Sequence, residues 1–328
     1  MKFDILGVGN ALVDETFYVE REFVDSAGLN FNSFKPFSFK EQEEIISSIP
    51  EKQLPEVMCG GSTTNSLAAA SNLGSKCGLI CQLGSDERGS LYEKNLKDNG
   101  IEPLNNFHHE NIKTGRCLVF ITPNSERTMG TYLGASERLV DNVEFISHAN
   151  NSKIIFSEGY QFTSDENYFA FLNILKGCSS EIKFALSLSD PGVVNAFRER
   201  FEEVISIRKI DYLFCNQEEA IALAGSNFAK DLQAVARNFV VTNGSENSII
   251  VENNNLHEID AYKVEAIDSN GAGDIFAGAA LYKVIKGESF FEACKFGNYA
   301  SSIIVQEKSP RLTKDGYKGL IDNYKRSL

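Results

Sequence analysis

Asp268-Ser269-Asn270-Gly271-Ala272-Gly273-Asp274, running on into Ile275-Phe276-Ala277-Gly278-Ala279-Ala280, carries two signals at once. Apolar residues at 272, 275, 276, 279 and 280 recur at helical spacing and predict a helix with one buried stripe, with Asp274 off that stripe in the first turn. The first amides of such a helix have no intrahelical acceptor and sit at the positive end of its dipole, and glycines let an anion come close. A carboxylate beside a phosphate site suits removal of a proton from an attacking hydroxyl, because phosphoryl transfer needs mostly positioning and charge stabilisation. The same carboxylate also serves merely to complement the dipole. Asp268 is placed either to hold a cation or to cap the turn.

Outward from this stretch the chain alternates strands and helices. Phe3 to Val8 is a short apolar run ending at Gly7 and Gly9, the form of a buried strand that stops at a turn. Ser38 with Glu41 makes a capping box ahead of Ile45 and Ile46. Helices are expected over 63–73 and 91–99, and strands over 77–83, 153–156, 184–188, 212–215 and 239–241. Such alternation implies parallel pairing and right-handed crossovers, hence a doubly wound, mostly parallel α/β sheet flanked by helices. Residues 15–35 and 116–132 are strand-like without a crossover helix, and read as a small β-sheet lid or as plain surface hairpins. The division expected is a large domain of residues 1–14, 36–106 and 136–328, with a small lid of 15–35 and 107–135.

Composition narrows the function. At 328 residues, 42% hydrophobic and 23% charged, the chain can build a sizeable core. A net charge of −13 repels polyanions, so neither nucleic acid nor an anionic membrane is an expected partner. No uncharged apolar run reaches the roughly 18 residues of a membrane span. Asp4, Asn10 and Asp14 interrupt any leader-like pattern at the start. Seven scattered cysteines read as free thiols in a reducing compartment, so a cytoplasmic location is expected.

Further polar groups sit where strands give way to turns. Ser189 and Asp190, Asn216, and Thr242 to Gly244 follow predicted strands, and ligands of open α/β sheets bind outside such carboxyl ends. Asn216 with Glu219 is suited to arranging magnesium and its waters, or to helix capping. Gly9-Asn10 with Asp14, and Gly60-Gly61-Ser62-Thr63-Thr64-Asn65, put amides and a carboxylate on neighbouring turns, as a polyol requires. Competing motifs fail: Leu12 stands at the third glycine position of a dinucleotide fingerprint, and no P-loop, zincin pair or serine elbow is present.

In family order, Gly9 to Asp14, Gly60 to Asn65, Gly84 to Gly89, Asn216 to Glu219, Thr242 with Gly244, and Asp268 to Asp274 resemble the ribokinase-like (PfkB-type) carbohydrate and nucleoside kinases. Glu126-Arg127-Thr128-Met129 and Glu158-Gly159-Tyr160 are most similar to adenosine kinases and their bacterial relatives. The resemblance implies Asp274 as the base, with the amides of Gly271, Ala272 and Gly273 as an anion hole for the γ-phosphoryl group. It implies that Asn10, Asp14, Gly61, Ser62 and Asn65 hold ribose-like hydroxyls. Asn216, Glu219, Thr242, Gly244 and Asn298 would serve ATP, with Mg2+ reached from Glu219 through water. Arg127 would lie against the phosphates on a closing lid. Ser309-Pro310 replaces a Gly-Ala pair that helps hold a monovalent cation in many relatives, so potassium activation is not expected, although Asp268 remains a candidate ligand. The expected activity is ATP-dependent phosphorylation of the primary hydroxyl of an adenosine-like ribonucleoside or a small sugar, with free fructose or ribose as the alternative acceptor. A silent nucleotide-binding scaffold is the alternative outside catalysis. A monomer and a homodimer through the lid are both compatible.

Overall fold

The computed structural model describes residues 1–29, 31, 34–49, 54–104, 108–124 and 127–327. Glu126 and parts of the expected lid (30, 32–33, 107, 125) lie outside the described residues.

The strands are β1 (Phe3–Val8), β2 (Leu12–Tyr18), β3 (Phe34–Pro36), β4 (Glu56–Cys59), β5 (Cys77–Ile80), β6 (Leu83–Gly84), β7 (Ile101–Pro103) and β8 (His108–His109). They continue with β9 (Gly115–Ile121), β10 (Arg127–Tyr132), β11 (Ser152–Glu158), β12 (Lys183–Ser187), β13 (Ile210–Asn216), β14 (Ala236–Asn243), β15 (Glu246–Glu252) and β16 (Asn255–Ile259). Nine form one sheet in the order β16-β15-β14-β13-β12-β11-β1-β5-β7. It is parallel from β14 to β7, and β15 and β16 extend it antiparallel. Asn253 and Asn254, both at positive φ, make the tight turn into β16.

Alternate residues of the central strands enter opposite cores. Phe184 and Leu186 pack with the helices Asp165–Gly177 and Arg198–Ile207 on one face. Ala185 and Phe214 face the helices Ser62–Asn72, Ala272–Ile285 and Phe290–Ile304 on the other. Two covered faces explain the continuous apolar runs of these strands. The capping box at Ser38 and Glu41 is present in both directions.

Three expectations change. The Ala272–Ile285 helix is not single-striped: every residue from Ile275 to Tyr282 is buried. It lies between the helices Ser62–Asn72 and Phe290–Ile304, where a Cβ on Gly278 would sit 2.1 Å from the Ser66 carbonyl oxygen. The strand-like 15–35 stretch contains a helix, Arg21–Ser26, whose Phe23 and Val24 pack under the small sheet. The small sheet, ordered β3-β10-β9-β2-β4, also starts earlier than expected, at Leu12, and takes in Glu56–Cys59. β4 pairs antiparallel with β2, which uses one edge that β2 leaves open beside β9.

The two sides of the small sheet differ. Glu15, Phe17, Arg116, Leu118 and Phe120 are buried on one side. The other carries Asp14 opposite Met58 and Cys117, Val119 opposite Met129, and Ile121 opposite Arg127. Arg127 reaches Asp268 on the main body, so this second side faces the large sheet across a cleft.

Candidate active site

The site grows from three chain reversals at one end of the large sheet. β1 ends at Val8 and turns through Asn10, and the Ser62–Asn72 helix begins after Gly61. Gly61 has φ +96°, and a Cβ there would lie 2.3 Å from the Asn10 carbonyl oxygen, so glycine is required for the two turns to touch. Glu158, at the end of β11, fastens them: its carboxylate accepts from the amides of Asn10 at 3.0 Å and Thr63 at 2.5 Å.

The third reversal is the start of the Ala272–Ile285 helix. Asp268 accepts from the Asn270 amide, Ala272 N–H donates to the Ser269 carbonyl, and Gly271 takes φ +77° as N-cap. The 309–311 turn packs behind it, since a Cβ on Gly271 would meet the Pro310 carbonyl oxygen at 2.6 Å. Gly273 is different: it is exposed, and a Cβ there would meet nothing within 4 Å. The helix therefore opens onto free space in its first turn, with amides and dipole directed into it.

Asp274 stands beside that space. The Ser62 hydroxyl donates to its Oδ1 at 2.5 Å and Asn65 Nδ2 to its Oδ2 at 2.8 Å. The surrounding protein raises its pKa by desolvation, while these two hydrogen bonds and the Arg311 charge pull it down. Asp14, across the cleft on β2, is pushed up to about 7 by desolvation against the opposing charges of Arg311 and Arg127. Burial also raises Glu158 and Glu219 to about 7, with the Asp274 charge adding to both. Clustered carboxyls with displaced pKa values in a cleft mark a functional site.

Residues 41–315 match the pattern of the pfkB family carbohydrate kinase. That span covers most of the chain. The chain belongs to the pfkB carbohydrate kinase family. It is therefore a sugar or nucleoside kinase. Similar proteins include adenosine kinase 1 of Arabidopsis thaliana, 24% identical over 92% of this chain and 94% of that protein. The crystal structure of adenosine kinase from Sinorhizobium meliloti superposes with a TM-score of 0.88 at 25% identity, covering 100% of both chains. A probable sugar kinase from Rhizobium etli gives 0.87 at 26% identity, over 99% of this chain and 98% of that one.

Within this pfkB kinase the anticipated residues fall into distinct settings. Gly271, Ala272, Gly273, Asp274, Ser62 and Asn65 are brought together. Asn216 and Thr242 lie side by side at the ends of β13 and β14, with Gly244 at φ +57° in the following turn. Asn216 and Glu219 form a reciprocal capping box, so both Glu219 oxygens are already engaged. Asn298 is tied to the Asp260 carbonyl.

Four side chains depart from their expected contacts. Asn10 is 3% exposed and its Oδ1 accepts from Gln161 and Asn167, so it shapes the turn from within. Asn65 has both ends of its amide committed, to Asp274 and to Arg311. Arg127 does not lie free for phosphates: its Nη2 is 2.8 Å from Asp268. Asp268 is paired with Arg127, whose guanidinium supplies a positive charge at that carboxylate.

Two participants escaped the sequence reading of the site. Glu158 had a signal, a lone carboxylate ending the apolar strand Ile154–Ser157. Arg311 had none, since its partner Asn65 is 246 positions away. All seven cysteines are buried and free. Among the described residues no helix is long and apolar enough to cross a membrane, and no group of three or more His, Cys, Asp or Glu is arranged to hold a metal.

Proposed function

We propose that this kinase transfers the γ-phosphoryl group of ATP to the primary hydroxyl of an adenosine-like ribonucleoside. The observation that carries the reading is Asp274, whose carboxylate is held by Ser62 and Asn65 at the edge of the open space next to Gly273. The acceptor hydroxyl lies between Asp14 and Asp274, and gives its proton to a carboxylate oxygen of Asp274 as its oxygen attacks. The amides of Gly271, Ala272 and Gly273 stabilise the charge of the moving group, and their fixed direction avoids reorganisation. Asp14, Gly61 and Ser62 orient the sugar hydroxyls, with Asn10 and Asn65 keeping the turns in place. Asn216, Thr242, Gly244 and Asn298 line the nucleotide side, and Arg127 covers the phosphates once it leaves Asp268 on closure.

Mg2+ fits this donor set. Glu219 is raised to about 7 by burial, with Asp190 and Asp274 as like-charged neighbours, so an arriving cation relieves their repulsion. When bound with the nucleotide, Mg2+ would supply charge neutralisation of the phosphates, and Glu219 is the residue that would hold it through water. Seven free thiols agree with a cytoplasmic setting.

A nucleoside is favoured over a free sugar by the cleft side of the small sheet, where Met58, Val119, Ile121 and Met129 give an apolar wall suited to a base. The adenosine kinase relatives point the same way. Turnover and thermal-shift measurements on adenosine, ribose, fructose and 2-keto-3-deoxygluconate test this, with ADP release as the readout. Adenosine is expected to bind and react; turnover of a free sugar without binding of adenosine overturns the choice.

A further inference from the structure

The Arg311 guanidinium lies behind the phosphoryl-transfer base and is aimed at it through a single side chain. Its Nε donates to Asn65 Oδ1 at 2.7 Å and its Nη1 to Asn95 Oδ1 at 2.8 Å. Its Nη2 is enclosed and donates to no atom among the described residues. Asn65 in turn donates from Nδ2 to Asp274 Oδ2 at 2.8 Å.

The order of these groups fixes the amide. A guanidinium can only donate and an ionised carboxylate can only accept, so Asn65 between them must turn its oxygen to Arg311 and its nitrogen to Asp274. The reverse flip would set two donors against each other and two acceptors against each other. Asp274 and Arg311 select the same orientation from opposite ends of the amide, so Arg311 holds the Asn65 nitrogen on Oδ2 while the Ser62 hydroxyl holds Oδ1.

Charge adds a second effect. Ionisable groups that interact with Asp274 include Glu158, Tyr160, Glu219, Tyr317 and the cation Arg311. Glu158 and Glu219 oppose ionisation of Asp274 by like-charge repulsion. Arg311 opposes protonation. It acts on Asp14 across the cleft in the same sense.

We propose that Arg311 is a positioning residue for catalysis: through Asn65 it orients the Asp274 carboxylate, and its charge keeps that carboxylate ready to accept the proton of the acceptor alcohol. The inference rests on the reading of Asp274 as base. Arg311 reaches Asp274 through the Asn65 amide, not directly.

The test compares wild type with Arg311→Met, Arg311→Lys and Asp274→Asn, using the full chain with ATP, Mg2+ and the acceptor that wild type turns over. The kcat is followed from pH 5 to 9 and folding is checked by melting temperature. Arg311→Met is expected to lower kcat about tenfold or more near neutral pH and to move the acid limb upward, with the KM for ATP within about twofold. Arg311→Lys retains the charge but not the fork, so its acid limb stays near that of wild type while its kcat falls. Should Arg311→Met not fold, the lysine variant decides: a wild-type kcat overturns the orientation role, and an acid limb shifted upward overturns the charge role. A rise in acceptor KM with kcat and pH profile intact makes Arg311 a substrate ligand and overturns the proposal. Turnover by Asp274→Asn at the wild-type rate removes the base itself, a result distinct from any of these.

Discussion

Arg127 Nη2 lies 2.8 Å from Asp268 Oδ2, which fastens the small sheet to the turn that opens the Ala272–Ile285 helix. The pair is 27% and 22% exposed, and partly solvated pairs of this kind contribute about 1 kcal/mol or less. Breaking this pair therefore costs little.

A double-mutant cycle on Arg127→Met and Asp268→Asn, read by urea unfolding, is accordingly expected to give a coupling of about 1 kcal/mol or less. Steady-state rates should respond more: loss of Arg127 lowers kcat about tenfold or more, while Asp268→Asn leaves the arginine and is milder. A coupling of several kcal/mol would mean that the sheets are locked as one folding unit.

Asp274→Asn should reduce kcat by about 100-fold or more, because an amide cannot accept the alcohol proton. Binding of a non-hydrolysable ATP analogue, followed by calorimetry, should change little, since the anion site is mainly backbone. A matching loss of nucleotide affinity contradicts that division of labour.

Two glycines are expected to respond oppositely. Gly273→Ala places its methyl in open space and should melt close to wild type, yet lose about 100-fold in kcat by filling the space a phosphate would occupy. Gly61→Ala forces a side chain onto φ +96° and against the Asn10 carbonyl, and should destabilise the fold by roughly 2 kcal/mol or more. Thermal melts with parallel rate measurements separate the two cases.

Asp14, Glu158 and Glu219 all hold their protons more tightly when folded, near 7 instead of 3.8 or 4.5. The folded state thus binds more protons than the unfolded chain in this window, and stability declines as pH rises from about 4.5 through about 7. The ligand-free protein should melt higher at pH 5.5 than at pH 8. Glu158→Gln should flatten that slope, and should also cost about 1–3 kcal/mol because its amide nitrogen cannot accept from the second of the two backbone amides.

The large sheet was legible because its strands are buried on both faces, so Phe184 to Leu186 or Phe239 to Val241 appear as unbroken apolar runs. β4 was not: Glu56, Val57 and Met58 are exposed, and such an edge carries no hydrophobic pattern. The Arg21–Ser26 helix was masked by its β-branched and aromatic neighbours, and packing against the small sheet overrode local preference. In the site, the glycines at 271 and 273 on either side of Ala272 announced the open helix start directly. The partners of its carboxylate were hidden, since Ser62, Asn65 and Arg311 meet Asp274 only through tertiary packing. Ser62 and Asn65 were nevertheless placed at the same site, as sugar ligands; the structure adds their hydrogen bonds to Asp274.

The small sheet gathers β2, β3, β4, β9 and β10 from five separate parts of the chain, while Asp274 and its helix belong to the main body. In the proposed function the apolar wall facing the nucleobase and the proton-accepting Asp274 thus belong to different parts of the molecule. Val119 and Met129 sit on strands of the small sheet, whereas Met58 also meets Ser309 of the main body. Such a layout lets a lineage retool what it accepts while keeping its chemistry, and gives a designer the same freedom.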